Sequence, residues 1–483
     1  MSSSSVRSGV IVALITGLVC LLRFPFAGHY PDGWDGADFI LAIQRFNLLE
    51  QRPHFPGYPV YIFLAHLFKA GGFSYHVSAL LPGILIQGIA LGFLYLRLSR
   101  LRNVGIAFAA IALLTGLFHP MISLESLKVG TETLAGGLLL IAFLLFPPFR
   151  QEDGRDSSRG SFFLCGVAVG LMLGARISYW PFIVTLTGLI LHYKAGRSAV
   201  FDFTTGVIAS IGLWLIPLIA LSGGPLFFKT ALGFLHGHFS KWGGSAAAGG
   251  VLLRLKLFIW GLSTHVAAGP WKDLPVLRWL PGSIGTALAV YGFVNFRSKT
   301  VLLWLILPYA AWVFLAQNPE HPRHLYPLAL AFILCVVLGL IALKDAVGTR
   351  PALATAGVLL SLWIFMSADL SLSYKASVPA QVQMVRFVES HYPGMGTMLF
   401  CGQSYRMFDL YYPVTPRIKT GSITTVKEWV KKAPALGQNV LFTSEAQPLA
   451  LLLPGSYEVA AMFTRSRYLD AESPVITLYQ YHF

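Results

Sequence analysis

The stretch PDGWDGADFILAIQRFNLLEQRPHFPGYPVYIFLAHLF, residues 31–68, follows closely on an apolar run at 9–27. It sets Asp32, Asp35 and Asp38 just past the end of a membrane helix and then turns back through H-x-P-G-Y-P at 54–59. Carboxylates at a membrane boundary are expensive and are usually kept for function. If FILAIQRF opens a helix, Asp35 and Asp38 lie three residues apart in its first turn, on adjacent faces. Capping that helix is open to Asp32 and Asp35. A carboxylate pair beside apolar surface can instead supply one general base, since burial and a like-charged neighbour tune its proton affinity. Pro56, Gly57 and Pro59 make a rigid corner that sends the chain back to the membrane. His54 and Tyr58 in it are either groups of the corner itself or contacts to a substrate.

The rest of the composition agrees with a chain built in lipid. Of 483 residues, 55% are hydrophobic and only 12% charged, about half the charge of a soluble domain. Apolar runs of about 17–25 residues recur up to residue 370, each long enough to cross a bilayer. A β-barrel would show short alternating segments instead. The net charge of +15 comes from Lys and Arg in short loops, with no basic run of five. That pattern excludes nucleic acid as the natural partner and points to anionic lipid or a phosphorylated lipid. Four cysteines, three of them in apolar runs (Cys20, Cys165, Cys335) and Cys401 alone in the tail, do not form a disulfide framework. The N-terminus has the look of a signal peptide, but Arg23 and the lack of an A-x-A site favour an uncleaved first helix.

Spans are expected at 9–27, 79–97, 104–118, 132–147, 161–177, 180–193, 200–221, 281–296, 300–316, 325–343 and 352–370. With the N-terminus in the cytoplasm, the cytoplasmic turns hold Arg97, Arg100 and Arg102; Arg150, Arg155 and Arg159; Lys194 and Arg197; Arg297 and Lys299; Lys344 and Arg350. Every such turn is basic, as orientation by loop charge requires. The segment LLRLKLFIWGLSTHVAAG at 252–269 is apolar but carries Arg254, Lys256 and His265. Spanning alone, it would reverse every later turn, so it is expected to be interfacial or re-entrant. GGSAAAGG at 243–250 reads as a flexible loop. The expectation is an all-α polytopic membrane protein of about 11–13 transmembrane helices over 1–374. Within it, 28–78 is an acidic first outer loop and 222–280 a long outer loop. Residues 375–483 change character. Strands TMLFCG, NVLFTS, YEVAAMF and VITLYQYHF alternate with helices VQMVRFVESHYP, YRMFDLYYP, TVKEWVKKA and PLALLLP. This predicts a small α/β domain, which span parity places on the extracytoplasmic side.

The same parity gathers acids and bases at the outer face. They are Asp32, Asp35, Asp38 and His54; Glu125, Lys128 and Glu132; Arg176 and Tyr179; His236, His238 and Lys241; and Glu320, His321, Arg323 and His324 in N-P-E-H-P-R-H-L-Y-P. Arg323 offers phosphate a planar fork, though an anchoring role at the interface suits it too. His321 and His324 alone are a weak metal signal.

At this point the residues resemble a known family. D-G-A-D-F at 35–39, H-F-P-G-Y-P-V-Y at 54–61 and L-x-x-L-F at 64–68 are similar to the first outer loop of GT-C glycosyltransferases. The resemblance is nearest to the protein O-mannosyltransferase and aminoarabinose transferase group, whose loop reads D-x-G-E-F and then H-P-P-G-Y-P-L-Y. It covers about the first 70 residues well and extends loosely through 170–181 and R-H-L-Y-P at 323–327. Asp38 stands where that group has Glu, which keeps the carboxylate. Phe55 replaces the first Pro of its turn. The resemblance implies inverting transfer of a sugar from a polyprenyl-phosphate carrier to an acceptor hydroxyl of a lipid, glycan or protein, at the outer face of a bacterial inner membrane. Asp35 would be the base. Asp38 would orient the acceptor, or hold a divalent cation (Mg or Mn) if one is used. Arg323, with His324 or Arg176, would neutralise the leaving phosphate, and His54, Tyr58 and Glu132 would contact substrate. No cofactor or metal ligand set is otherwise implied. A transporter or lipid flippase is the main rival, but transporters place their sites near the midplane, often between repeated halves. A non-catalytic assembly subunit is the third reading.

Overall fold

In the computed structural model, residues 3–101, 103–147, 159–242, 245, 250–267, 269, 275–419, 423–434, 438–445, 455–470 and 473–482 are described. Arg102, Arg150, Arg155, most of the 243–250 loop and the helix predicted at 448–454 fall outside them.

The membrane part begins with α1 (Ser3–Arg23), followed by α2 (Gly33–Gln44) and α3 (Pro59–Ala70) in the acidic loop. Next come α4 (Tyr75–Ser99), α5 (Gly105–Phe118), α6 (Pro120–Glu125), α7 (Glu132–Leu145), α8 (Arg159–Ala175), α9 (Pro181–His192) and α10 (Arg197–Leu221). The long connection after α10 contains α11 (Pro225–Gly237) and α12 (Val251–Gly261). The bundle is completed by α13 (Pro275–Asn295), α14 (Lys299–Ala316), α15 (Tyr326–Val347) and α16 (Thr349–Ala376). Each of the eleven expected spans overlaps one of these helices, and among the described residues six helices are long and apolar enough to cross a membrane. Long apolar helices such as α4, α10 and α15 are matched by shorter apolar ones such as α5, α7 and α8. The chain is an integral membrane protein with a helical bundle.

Lipid supplies no hydrophobic drive between helices, so close packing of small residues has to do that work. A Cβ at Gly166 of α8 would run into the Phe203 carbonyl of α10, and one at Gly206 into the Phe163 carbonyl of α8. Gly292 of α13 and Gly339 of α15 meet each other's helix in the same way.

The two ends of the bundle are distinct. At one end Arg100 donates to Ser8 at 2.9 Å, and Lys344 reaches the Asn103 carbonyl. At the other end lie the acidic loop, the starts of α7 and α15, and the end of α8. The expected interfacial helix is α12, which at 11 residues spans only about 17 Å, too short to cross. Its Arg254 caps α14 at that second end, donating to the Val313 carbonyl at 3.1 Å and also to those of Phe314 and Gln317.

The tail forms the predicted small α/β domain from α17 (Ala380–His391), β1 (Thr397–Cys401), α18 (Tyr405–Tyr411), β2 (Arg417–Lys419), α19 (Ile423–Lys432), β3 (Asn439–Thr443), β4 (Ser456–Thr464) and β5 (Val475–His482). Sheet order is β2-β1-β3-β5-β4. β1 runs parallel to β2 and β3, with Met398 opposite Val440, while β3–β5 and β5–β4 are antiparallel. Parallel neighbours need crossovers, which α18 and α19 provide. All five β1 residues are buried, because α17 and α18 cover one face of the sheet and Val426 and Val430 of α19 the other. The cluster on the first face includes Ala37 of α2. The domain therefore packs directly on the acidic loop.

Candidate functional site

The loop enters α2 at Asp32, which is the N-cap by position, yet its side chain makes no capping bond. It instead accepts from the Tyr374 hydroxyl at 2.6 Å and pairs with Arg465. The corner at 54–59 contains a cis Phe55–Pro56 bond, Gly57 at φ +90° and Tyr58 in the left-handed region at φ +47°. A bulky residue there is uncommon and clusters at functional sites. The turn presents His54 to α2. His54 Nδ1 lies 3.0 Å from Asp38 Oδ2, and Nε2 lies 2.8 Å from the Tyr58 hydroxyl and 3.7 Å from Asp35 Oδ1. Phe234 of α11 stacks on the imidazole at 6.1 Å.

A cavity opens beside this group, lined by Asp35, Glu125, Lys128, Glu132, Arg176 and Arg323 together with Asp32, His321 and residues of the 469–470 turn. Its charges come in pairs. Arg323 Nη1 donates to Asp35 Oδ2 at 2.7 Å, Arg176 Nη1 lies 2.6 Å from Glu132 Oε1, and Lys128 Nζ lies 2.9 Å from Glu125 Oε1. Asp35, Glu132, Arg176 and Arg323, drawn from four separate stretches, are thus brought together at one cavity. Asp38, His54, Tyr58 and His324 stand behind the wall and do not line the cavity. Asp38 is fully buried. The His324 Nδ1 hydrogen-bonds the Asn318 carbonyl at 2.8 Å, and its own carbonyl accepts from Tyr309, so its contacts hold the turn that presents Arg323. His238 likewise bonds the Ala316 carbonyl at 3.0 Å.

The electrostatics separate the two aspartates. Burial by itself would raise the Asp35 carboxyl, but Arg323 foremost, then His54, Arg176 and His321, hold it down to about 2. Burial pushes Asp38 up, assisted by the Asp35 charge and opposed by His54 and Arg406. For His54 burial favours the neutral ring, but Asp35 and Asp38 together outweigh it and raise its proton affinity. His321, desolvated and facing Arg323, is lowered to about 4. The surroundings thus shift these neighbouring carboxyls in opposite directions. Among the described residues no three His, Cys, Asp or Glu side chains gather as a metal ligand set. Asp38 Oδ2 is hydrogen-bonded with His54, and Oδ1 forms an ion pair with Arg406 Nε at 2.8 Å.

Sequence reading missed the tail's contribution. Arg406 of α18 and Arg465, after β4, enter the loop from more than 350 residues away. Only their domain's placement could have signalled them.

A multi-helix bundle with a charged cavity at one end, covered by a small α/β domain, is a fold shared with proteins of known structure. The chain is similar to ArnT from Cupriavidus metallidurans in the apo state (TM-score 0.58, 13% identity, 99% of this chain and 98% of that one). It is also similar to ArnT bound to undecaprenyl phosphate (0.57, 14%, 97% and 97%). The Archaeoglobus fulgidus oligosaccharyltransferase tethered with an acceptor peptide (0.53, 13%, 93% and 72%) and the arabinofuranosyltransferase AftD from Mycobacteria (0.50, 15%, 99% and 40%) share the fold. No protein-family model matches the chain, and no curated protein sequence does.

Proposed function

We propose that the protein is a membrane glycosyltransferase that moves a sugar from a polyprenyl-phosphate carrier to an acceptor hydroxyl, with inversion, at the extracytoplasmic face. The observation that carries the reading is the Asp35–Arg323 pair at the cavity wall, a base and a phosphate-binding fork in direct contact. Its likeness in fold to ArnT, which has been seen with undecaprenyl phosphate, supports a polyprenyl donor.

The acceptor oxygen attacks the anomeric carbon while the bond from that carbon to the phosphate oxygen breaks. The electron pair leaves with the polyprenyl phosphate, and the acceptor proton passes to Asp35. A single displacement inverts the centre. Arg323, with Arg176 beside it, meets the charge that grows on the leaving phosphate, where a preorganised cation acts most strongly. Without donor, Arg323 neutralises Asp35 and makes it a feeble base. Once the phosphate draws Arg323 away, Asp35 loses its chief counter-charge and its proton affinity rises. Donor binding thus arms the base. Glu132 keeps Arg176 in place at 2.6 Å.

The test is transfer by purified protein from a radiolabelled polyprenyl-phosphate sugar, with wild type and Asp35→Asn compared at matched folded protein. Loss of a general base costs about 10²–10⁴-fold in turnover. Equal rates would overturn the assignment of Asp35. Lipid movement across proteoliposomes without any transfer would favour the transport reading.

A further inference from the structure

Arg406 lies outside the cavity, yet it is buried and uses most of its guanidinium on the acidic loop. Its Nε lies 2.8 Å from Asp38 Oδ1. Nη2 donates to the carbonyls of Glu50 at 3.0 Å and Gln51 at 2.9 Å, and Nη1 to Asp409 at 2.8 Å. The Trp34 ring stacks under it at 5.0 Å, with Lys419 on the same ring at 3.9 Å. The guanidinium therefore touches the start and the middle of α2 and the short turn at Leu48–Glu50. Through Asp38 it continues to His54, and through His54 to the edge of Asp35.

We infer that Arg406, supplied by the C-terminal domain, is a positioning residue for this site: by clamping Asp38 as a carboxylate it keeps the proton of the Asp38–His54 pair on the imidazole, beside Asp35. The pair has two ways to hold one proton. One is a charged pair, imidazolium and carboxylate; the other is a neutral pair, imidazole and carboxylic acid. In the dry surroundings of a fully buried Asp38, the neutral form is the default. A fixed cation in contact with the carboxylate, and farther from the ring, favours the charged form. Facing Asp38 are His54 from the corner, Arg406 from α18, Asp35 from its own helix and Lys419 from β2. Facing His54 are Asp35 and Asp38 from α2, Arg323 from the turn before α15, and Tyr58. Of these, Arg406 is the cation in direct contact with Asp38. A protonated His54 in turn adds to the cations that hold Asp35 ionised. The role rests on Asp35 being the base of the proposed reaction.

The test follows acylation of His54 by diethylpyrocarbonate, which attacks only the neutral imidazole, in the purified full-length protein. Peptide-resolved mass spectrometry gives the rate from pH 5.5 to 9. The midpoint reports protonation, while the plateau reports access, so a merely loosened loop changes the second and not the first. Wild type should titrate above an ordinary histidine. Arg406→Gln should lower the midpoint by about one pH unit or more, and Arg406→Lys, which keeps the charge, should restore most of it. If Arg406→Gln does not fold, Asp38→Asn serves, because removing the carboxylate should lower the His54 midpoint likewise. An unchanged midpoint in folded Arg406→Gln or in Asp38→Asn overturns the inference. No sugar transfer enters this readout, so a protein that fails to transfer sugar but shows these shifts would sink the proposed reaction alone.

Discussion

Asp35→Asn should bind undecaprenyl phosphate more tightly than wild type while losing turnover. In the free protein Arg323 is held by Asp35 at 2.7 Å, so a lipid phosphate must break that pair before it can use the guanidinium. The Asp35 carboxyl stands at about 2 against an ordinary 3.8, and each pKa unit corresponds to about 1.4 kcal/mol. Several cations share that depression, and Asp35 keeps 22% of its side-chain surface exposed, so solvent screening trims the share of Arg323 to about 1–2 kcal/mol. Asparagine keeps the shape and removes the charge. Released from its partner, Arg323 should then hold phosphate about 5–30-fold more tightly. The assay is equilibrium binding of undecaprenyl phosphate in detergent, by native mass spectrometry or quenching of intrinsic tryptophan fluorescence. Equal or weaker binding by folded Asp35→Asn would refute the idea that base and phosphate compete for one arginine.

Arg323→Ala should raise the donor concentration needed for half-maximal rate by about 10–150-fold, the worth of a charge-assisted hydrogen bond, and Arg323→Lys by less. An interface anchor would leave both at the wild-type value per folded protein. Membrane-impermeant thiol reagents on intact cells should label Gln51→Cys and Ser390→Cys, both exposed, but not Arg350→Cys at the opposite end; the reverse pattern would invert the orientation. Asp35 has a lowered carboxyl, so its pairing adds stability that is fully present above 3.8 and is lost as pH falls towards about 2. The difference in melting temperature between wild type and Asp35→Asn should therefore shrink across that interval, and a constant difference in detergent-solubilised protein would contradict it.

Much of this was legible in the residues because lipid leaves few choices. Eleven apolar runs had to be helices. The 31–68 stretch announced itself by carboxylates where carboxylates are costly. Residues 439–443 and 475–482 declared strands by β-branched and aromatic content. β2, only Arg417–Lys419, carried no such signal, since a three-residue polar edge strand has no period to read. His324 reads as a site residue by type, but its ring serves the Asn318 turn, which only three-dimensional packing decides. Arg406 and Arg465 were invisible for the opposite reason. Nothing local distinguishes an arginine that reaches into a distant loop from one that faces water.

The pairing of Asp32 with Arg465 joins partners 433 positions apart. At about 5–20 residues per second of synthesis, the loop is made roughly 20–90 seconds before the arginine that answers its first carboxylate. A nascent chain thus carries its acids in water until the last strands are translated and docked. A message cut short before residue 465 would yield a bundle with every span in place and Asp32 left without the arginine that pairs with it. Such a product has the right hydropathy for insertion and the wrong electrostatics for persistence, which is the kind of defect membrane proteases are positioned to clear.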